Sequence, residues 1–279
     1  MSLGSQTHAP GDLQQVAIVT RYELHKHIRS RRIVGILAVE VLVMALILLV
    51  PPLTGNPYRN DPAGFIATFT SFTSILIIVG AILFAGDAIV SEFQGRTGYL
   101  ILPNPVKRTS FFAGKVLASM IVMFAVITLY YLVAIVSAIG ITGGTTVLSL
   151  YSYGLALLYG AAAIGIGYMI SALMKGATAA LVLTFAVLLL IFPVVTQVSA
   201  FAGAKPAWSL SFAGETITDI MQTPYPHDYV QNMTIPGGQN LTLHVYAPDV
   251  PTSIAVMLVY AGITLVVALI LFRRKELLG

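Results

Sequence analysis

The chain has no cysteine in its 279 residues, which excludes disulfides, thiolate metal sites and a cysteine nucleophile. Charge is scarce too: Asp, Glu, Lys and Arg make up 9% of the residues, against roughly a quarter in soluble domains. An ordinary water-soluble globule is therefore excluded. Histidine occurs only five times, split between the N-terminal region and the segment 201–251. A hydrolase or transferase needs His, Asp, Glu or Ser gathered at one place, so the pattern argues against an enzyme. No G-x-x-x-x-G-K-[ST] phosphate loop is present, and Gly114-Lys115-Val116 fails at the last position. The chain is expected to hold no cofactor and to hydrolyse no nucleotide. Its net charge of +4 does not signal nucleic acid, because the basic residues flank apolar runs rather than forming a separate patch.

What is present is apolar sequence, 57% of the chain, in runs long enough to cross a bilayer, which takes about 20 helical residues. The expected fold is an all-α polytopic membrane protein, a single transmembrane domain over 1–279. Its six spans are expected at about 32–52, 64–90, 113–140, 149–174, 177–200 and 252–272. The first apolar run, 33–50, is too long and too far from the N-terminus for a signal peptide. Pro51 to Pro57 reads as loop, Thr109 or Ser110 as the cap of the third span, and Pro193 as a bend in the fifth. With the N-terminus inside, thirteen of the fifteen Lys and Arg residues fall on the inner side, leaving Arg59 and Lys205 outside. The positive-inside rule then makes both termini cytoplasmic. Asn232 and Asn240 head glycosylation sequons in the loop 201–251, which this topology places outside. Residues 16–28 mix apolar and basic side chains and are expected to lie along the inner membrane surface.

The most informative stretch lies between the second and third spans. Ser91-Glu92-Phe93-Gln94-Gly95-Arg96-Thr97-Gly98-Tyr99 is polar and charged, and Leu102-Pro103-Asn104-Pro105-Val106-Lys107-Arg108 and Gly114-Lys115 follow it. Glu92 and Arg96 stand four apart, the favourable order on a helix. Gly95 and Gly98 loosen the backbone, while Pro103 and Pro105 forbid a continuous helix. A short helix over about 91–101, outside the membrane and held between two spans, would move both when pressed.

These motifs, in this order, resemble the permease subunits of ABC-2 type ABC transporters. The resemblance rests on Glu92, Gly95-Arg96-Thr97-Gly98, Leu102-Pro103, Lys107-Arg108, Gly114-Lys115 and the closing Phe272-Arg273-Arg274-Lys275-Glu276. Arg96-Thr97-Gly98 departs from the family's usual Gly followed directly by Thr. Size and outer loop are similar to permeases linked to copper-enzyme maturation, with drug, lipid or peptide export equally admitted. The resemblance implies a half-transporter that pairs with a second copy of itself or a related permease in the cell membrane, and an exporter by direction. It further implies two copies of a separate ATP-binding subunit that bind ATP and Mg. Glu92, Phe93, Gly95, Arg96, Thr97, Gly98 and Tyr99 would be the coupling residues that dock into them and drive alternating access.

Several polar residues lie inside the apolar runs. Glu40 sits near the middle of the first, where a central charge costs roughly 2.5–3.5 kcal/mol even on insertion scales. It reads either as part of a translocation path or as a carboxyl hydrogen-bonded to a neighbouring helix, and Thr70, Ser71 and Ser74 read as cavity wall or close helix contact. An ion-coupled secondary transporter using Glu40 is the alternative function, but one buried acid and no visible internal repeat count against it. Ala163, Gly167 and Ser171 recur every four residues, a spacing that lets helices touch. In the outer loop, 210–221 reads as a short helix and 229–246 as a β-hairpin around Pro236-Gly237-Gly238. Aligning its apolar rows pairs Met233 with Leu243. Trp208, Tyr225, Tyr229 and Tyr246 suit an interfacial belt. His227 and His244 with Met221 and Met233 make only a weak soft-metal set.

Overall fold

The computed structural model describes residues 11–94, 107–234 and 240–275. Six helical segments are long and apolar enough to cross a membrane. After α1 (Asp12–Ile28) come the spans α2 (Arg31–Leu53) and α3 (Pro62–Ala85), then the five-residue α4 (Val90–Gln94). Next are α5 (Arg108–Thr142), α6 (Leu148–Leu173) and α7 (Ala177–Phe185), which continues through a π-helical segment (Ala186–Ile191) into α8 (Phe192–Phe201). The chain closes with α9 (Leu210–Asp219), the strands β1 (Tyr229–Thr234) and β2 (Asn240–Val245), and α10 (Val250–Arg274). The end of the bundle carrying α1 and α4 is the elbow end, and the opposite one the hairpin end.

Helix α6 is the centre of the bundle: 78% of its most apolar window is buried, against 22% for α2 and 17% for α10. Small residues make this possible. A side chain at Gly167 would meet Ala85 Cβ at 2.7 Å, and one at Gly214 of α9 would meet the Tyr159 ring at 2.8 Å. Helix α9 thus caps the hairpin end of the bundle. It is held there by Ser152, which donates to the Ile217 carbonyl and pairs with the Tyr131 hydroxyl at 2.7 Å.

Three local expectations are corrected. Pro51 and Pro52 belong to the last turn of α2 rather than to a loop. Proline lacks an N–H, so Pro52 leaves the Leu48 carbonyl without its helical donor, and the Tyr58 hydroxyl supplies one. The third span starts at Arg108 with Lys107 as its cap, so neither Thr109 nor Ser110 plays that part. Lys107 N–H is taken by the side chain of Gln15, at 2.9 Å. In the hairpin, Met233 faces Leu241 and Gln231 faces Leu243, two residues from the expected register. Because strand side chains alternate with period two, registers differing by two leave the same faces together. Hydrophobic pattern alone does not separate them; the turn does. The π-helical segment stands immediately ahead of Pro193, where the missing proline N–H opens the hydrogen-bond ladder.

Candidate functional site

Helix α3 ends at Gly86, and a turn over 86–89 leads into α4; this is the elbow. Its backbone is caught from the side by Ser171, whose hydroxyl accepts from Ile89 N–H at 2.9 Å and Val90 N–H at 3.1 Å. The stripe of small residues on α6 thus brings the helices together at Gly167 and, one turn further on, satisfies the donors that the break in the chain leaves exposed.

Four charged side chains then fix α4 to α1 and α5. Lys115 Nζ lies 2.8 Å from both Glu23 Oε1 and Glu92 Oε1, and Lys26 Nζ lies 2.8 Å from Glu92 Oε1. Lys115, Glu23 and Glu92 are all buried. The set holds two acids and two bases, so it is neutral, which is how charge is retained in a dry setting. A second pair, Arg32 and Asp87, is bidentate, with contacts of 2.7 and 2.6 Å; it joins α2 to the elbow turn. Helix α1 presents a polar face inward, with Gln15, Thr20 and Glu23 buried. It approaches α5 so closely that a Cβ on Gly114 would stand 2.7 Å from Val19, and Thr20 Oγ1 donates to the Gly114 carbonyl at 3.3 Å. Its outward face carries Ile18, Tyr22 and Ile28 beside Arg21, His25 and Arg29, a mixture suited to an anionic membrane surface.

The far end of α4 is also held. Gln94 Oε1 accepts from Ala177 N–H at 2.9 Å, tying it to the start of α7. The Phe93 ring meets Phe272 of α10 edge-on at 6.2 Å, and Lys275 Nζ sits 5.1 Å over Phe93. Lys275 Nζ also donates to the Met174 carbonyl at 2.8 Å and the Ala172 carbonyl at 3.2 Å, closing the end of α6. The elbow therefore has a direct contact with α1, α2, α5, α6, α7 and α10.

A cavity of about 410 Å³ opens between α1, α2, the elbow and α5, lined among others by Glu23, Lys26, His27, Arg32, Asp87 and Glu92. Burial alone would lower Lys26, but its hydrogen bond to Glu92 and the charges of Glu23 and Glu92 outweigh this and raise its pKa. His27 goes the other way, from an ordinary 6.5 to about 4. Burial is the main cause; Glu23 opposes it, while Lys115, Lys26 and Arg32 add to the lowering. His27 is thus neutral at pH 7. Its contribution is complete above pH 6.5 and is lost as pH falls toward 4, because in that window only the unfolded chain takes up the proton. Thermal unfolding at pH 5 should therefore occur at a lower temperature than at pH 7, and His27→Gln should lose part of that difference. An unchanged difference would contradict the assignment.

The family model for ABC-2 family transporter proteins matches residues 17–277. The chain belongs to the ABC-2 transporter family. That makes it a multi-pass permease whose family implies an ATP-binding subunit as partner. No curated protein matches the chain.

Within the ABC-2 permease the structure distributes the sequence-named residues unevenly. Glu92 is turned inward to Lys26 and Lys115, and Phe93 packs on Phe272; Gly95, Arg96, Thr97, Gly98 and Tyr99 lie outside the described residues. Glu40 is buried between α2, α3 and α5, beside Thr73. Thr70 is buried and donates to the Ala67 carbonyl at 3.1 Å. Ser71 lines a separate cavity of about 430 Å³ at the hairpin end, with Arg59, Thr68, Thr218 and Gln222, and Ser74 lines neither. These four are not brought together. Asn232 and Asn240 lie on β1 and β2. Of the expected belt, Trp208 and Tyr229 are exposed, whereas Tyr225 donates to the Pro248 carbonyl and Tyr246 to the Gly203 carbonyl.

Sequence reasoning missed Glu23 and Thr73 as site residues, and the parts played by Lys26, Ser171 and Gln94, which it had noted only as a basic, a small and a polar residue. A signal existed for two of them. Glu23 and Lys26 are three apart on a helix and lie within the segment 16–28 already singled out, yet the partners that hold them, Glu92 and Lys115, are distant in sequence.

Proposed function

We infer that this permease is the membrane half of an exporter in which a separate ATP-binding subunit, in two copies, supplies the force. Two permease chains, identical or related, pair in the cell membrane with both termini cytoplasmic, and the elbow passes motion from the ATP-binding subunit to the spans. The observation that carries this reading is the elbow's set of contacts with the ends of six helices. A segment fixed in that way cannot shift without moving the bundle. Basic residues crowd the same end, which supports its cytoplasmic placement.

Glu92 acts in this scheme as the bolt that holds α4 to α1 and α5, and Gly95 to Tyr99 take the docking role. Glu40 and Ser71 serve separate parts of a path, Ser71 at its outer mouth. Size and the 201–251 segment are similar to those of copper-enzyme-maturation permeases, and drug, lipid or peptide export is equally admitted. No group of three or more His, Asp or Glu that could hold a metal occurs among the described residues.

The test replaces Gly95-Arg96-Thr97-Gly98-Tyr99 by a Gly/Ser segment of equal length. The variant should keep the melting temperature of the wild type and lose both the co-purifying ATP-binding subunit and coupled ATPase activity. Retained association with full coupling would defeat the assignment. Glu92→Lys is the wrong probe, since it places a third cation against Lys26 and Lys115.

A further inference from the structure

Glu40 stands nine residues into α2, about 13 Å along the helix from Arg31 at 1.5 Å per residue. It is 1% exposed, and among the described residues neither carboxyl oxygen has a hydrogen-bond partner. It faces a void of about 10 Å³ lined by Thr73, Leu76 and Ile77 of α3 and by Met123, Val126, Ile127 and Tyr130 of α5. That is room for about one water. Among the described residues no charged side chain other than Glu40 lines the void. Its one titratable neighbour, Tyr130, donates its hydroxyl to the Phe69 carbonyl at 2.9 Å, so its hydrogen is directed elsewhere. The Thr73 hydroxyl, buried and among the described residues itself without a hydrogen-bond partner, is the donor at hand. One neutral hydroxyl does not offset a buried anion that has no counter-charge, a state that proteins avoid at a cost of several kcal/mol.

The helix that carries Glu40 is lightly held. Val39, Val41, Leu42 and Leu46 of α2 are exposed on its other faces. Its attachments to the bundle include the contact with α3 and α5, a smaller one with α1, the Arg32–Asp87 pair at the elbow and the Tyr58–Leu48 hydrogen bond at the other end. A shift of the elbow therefore acts on α2 directly, and parting of α2 from α3 and α5 would admit water to the carboxyl.

We propose that Glu40 is a proton-exchange site, carrying a proton while α2 is packed on α3 and α5 and giving it to water when that contact opens. The carboxyl O–H bond breaks, the proton passes to water and on to bulk solvent, and the reverse occurs on closure. This deepens the permease reading: the exchange half of the proposal rests on that reading, whereas the resting proton does not.

The experiment has three arms on the reconstituted full chain, wild type and Glu40→Gln. Infrared spectra at pH 7 read the carbonyl stretch of a protonated carboxyl; the wild type should show a band that Glu40→Gln lacks. A lipid-soluble carbodiimide should add to the acid. The carboxyl oxygen bonds the central carbon, the proton moves to nitrogen, nothing leaves, and rearrangement gives a stable N-acylurea that peptide mass spectrometry places on Glu40. With the ATP-binding subunit present, a pH-sensitive dye should report proton release and uptake during ATP turnover in the wild type and none in Glu40→Gln. Glutamine keeps the shape without charge, so the variant should unfold at the wild-type temperature. No difference band at pH 7 overturns the proposal whether or not the carbodiimide reaches the site. A band without any proton signal during productive turnover overturns the exchange. A band in a chain that neither binds an ATP-binding subunit nor transports leaves the proton site standing and refutes the permease reading.

Discussion

Lys115→Met should cost about 3–5 kcal/mol of stability, the range for removing one partner from a buried ion cluster. Lys115 is 1% exposed and lies 2.8 Å from both Glu23 and Glu92, whereas Lys26 reaches Glu92 at 2.8 Å and Glu23 only at 3.7 Å. Without it two buried carboxylates face each other across a space that methionine fills but does not neutralise, and Lys26, half in solvent, remains to hold both. Melting temperature and folded yield in lipid discs are the readouts. The triple variant Glu23→Gln, Glu92→Gln, Lys115→Met should recover most of the loss, because it removes the unpaired charge together with the pair. If the single variant melts like the wild type, the cluster does not hold the elbow to α1 and α5.

Gly167→Ala should cost about 1–3 kcal/mol, the usual range for overpacking, and should impair coupling beyond what that loss explains. The added methyl would lie 2.7 Å from Ala85 Cβ and 3.3 Å from both Ala85 C and Gly86 N. Two of these three atoms are backbone, so the contact is relieved only by parting α3 from α6 at the elbow turn. One turn along α6, Ser171 would then draw away from Ile89 and Val90. The measurement is ATPase stimulation by the permease at a temperature where the variant remains fully folded. Wild-type stimulation there would show that the α3–α6 contact serves packing alone.

The six spans were legible because each is a long apolar run broken by turn chemistry, and that signal is local. The short helix expected at 210–221 was legible from local sequence too, and it appears as α9. Long-range pairing was not legible. Lys115 and Glu23 are 92 residues apart in sequence, and nothing in the segment around either announces the other. Residues 16–28 read as a surface helix from their apolar and basic members. What holds that helix is the opposite face, Gln15, Thr20 and Glu23, whose burial depends on α5. Glu92 drew attention as an acid in a polar segment, yet nothing near it in sequence announced Lys26 and Lys115, which both contact its carboxylate. For the hairpin, parity was legible and register was not, because a slip of two residues keeps the same faces together. Ser171 was legible as a small residue and not as an acceptor, since its donors arise only where α3 breaks.

The chain's lack of cysteine makes single cysteines clean probes, and crosslinking is the most direct measurement. Gln94→Cys stands exposed at the end of α4 and Arg59→Cys at the hairpin end. With a short thiol-to-amine reagent in native membranes, the ATP-binding subunit should be captured from Gln94→Cys, with loss of coupled ATPase activity, and not from Arg59→Cys. Capture from Arg59→Cys alone, or full coupling after quantitative capture at Gln94→Cys, would contradict entry of force through the elbow.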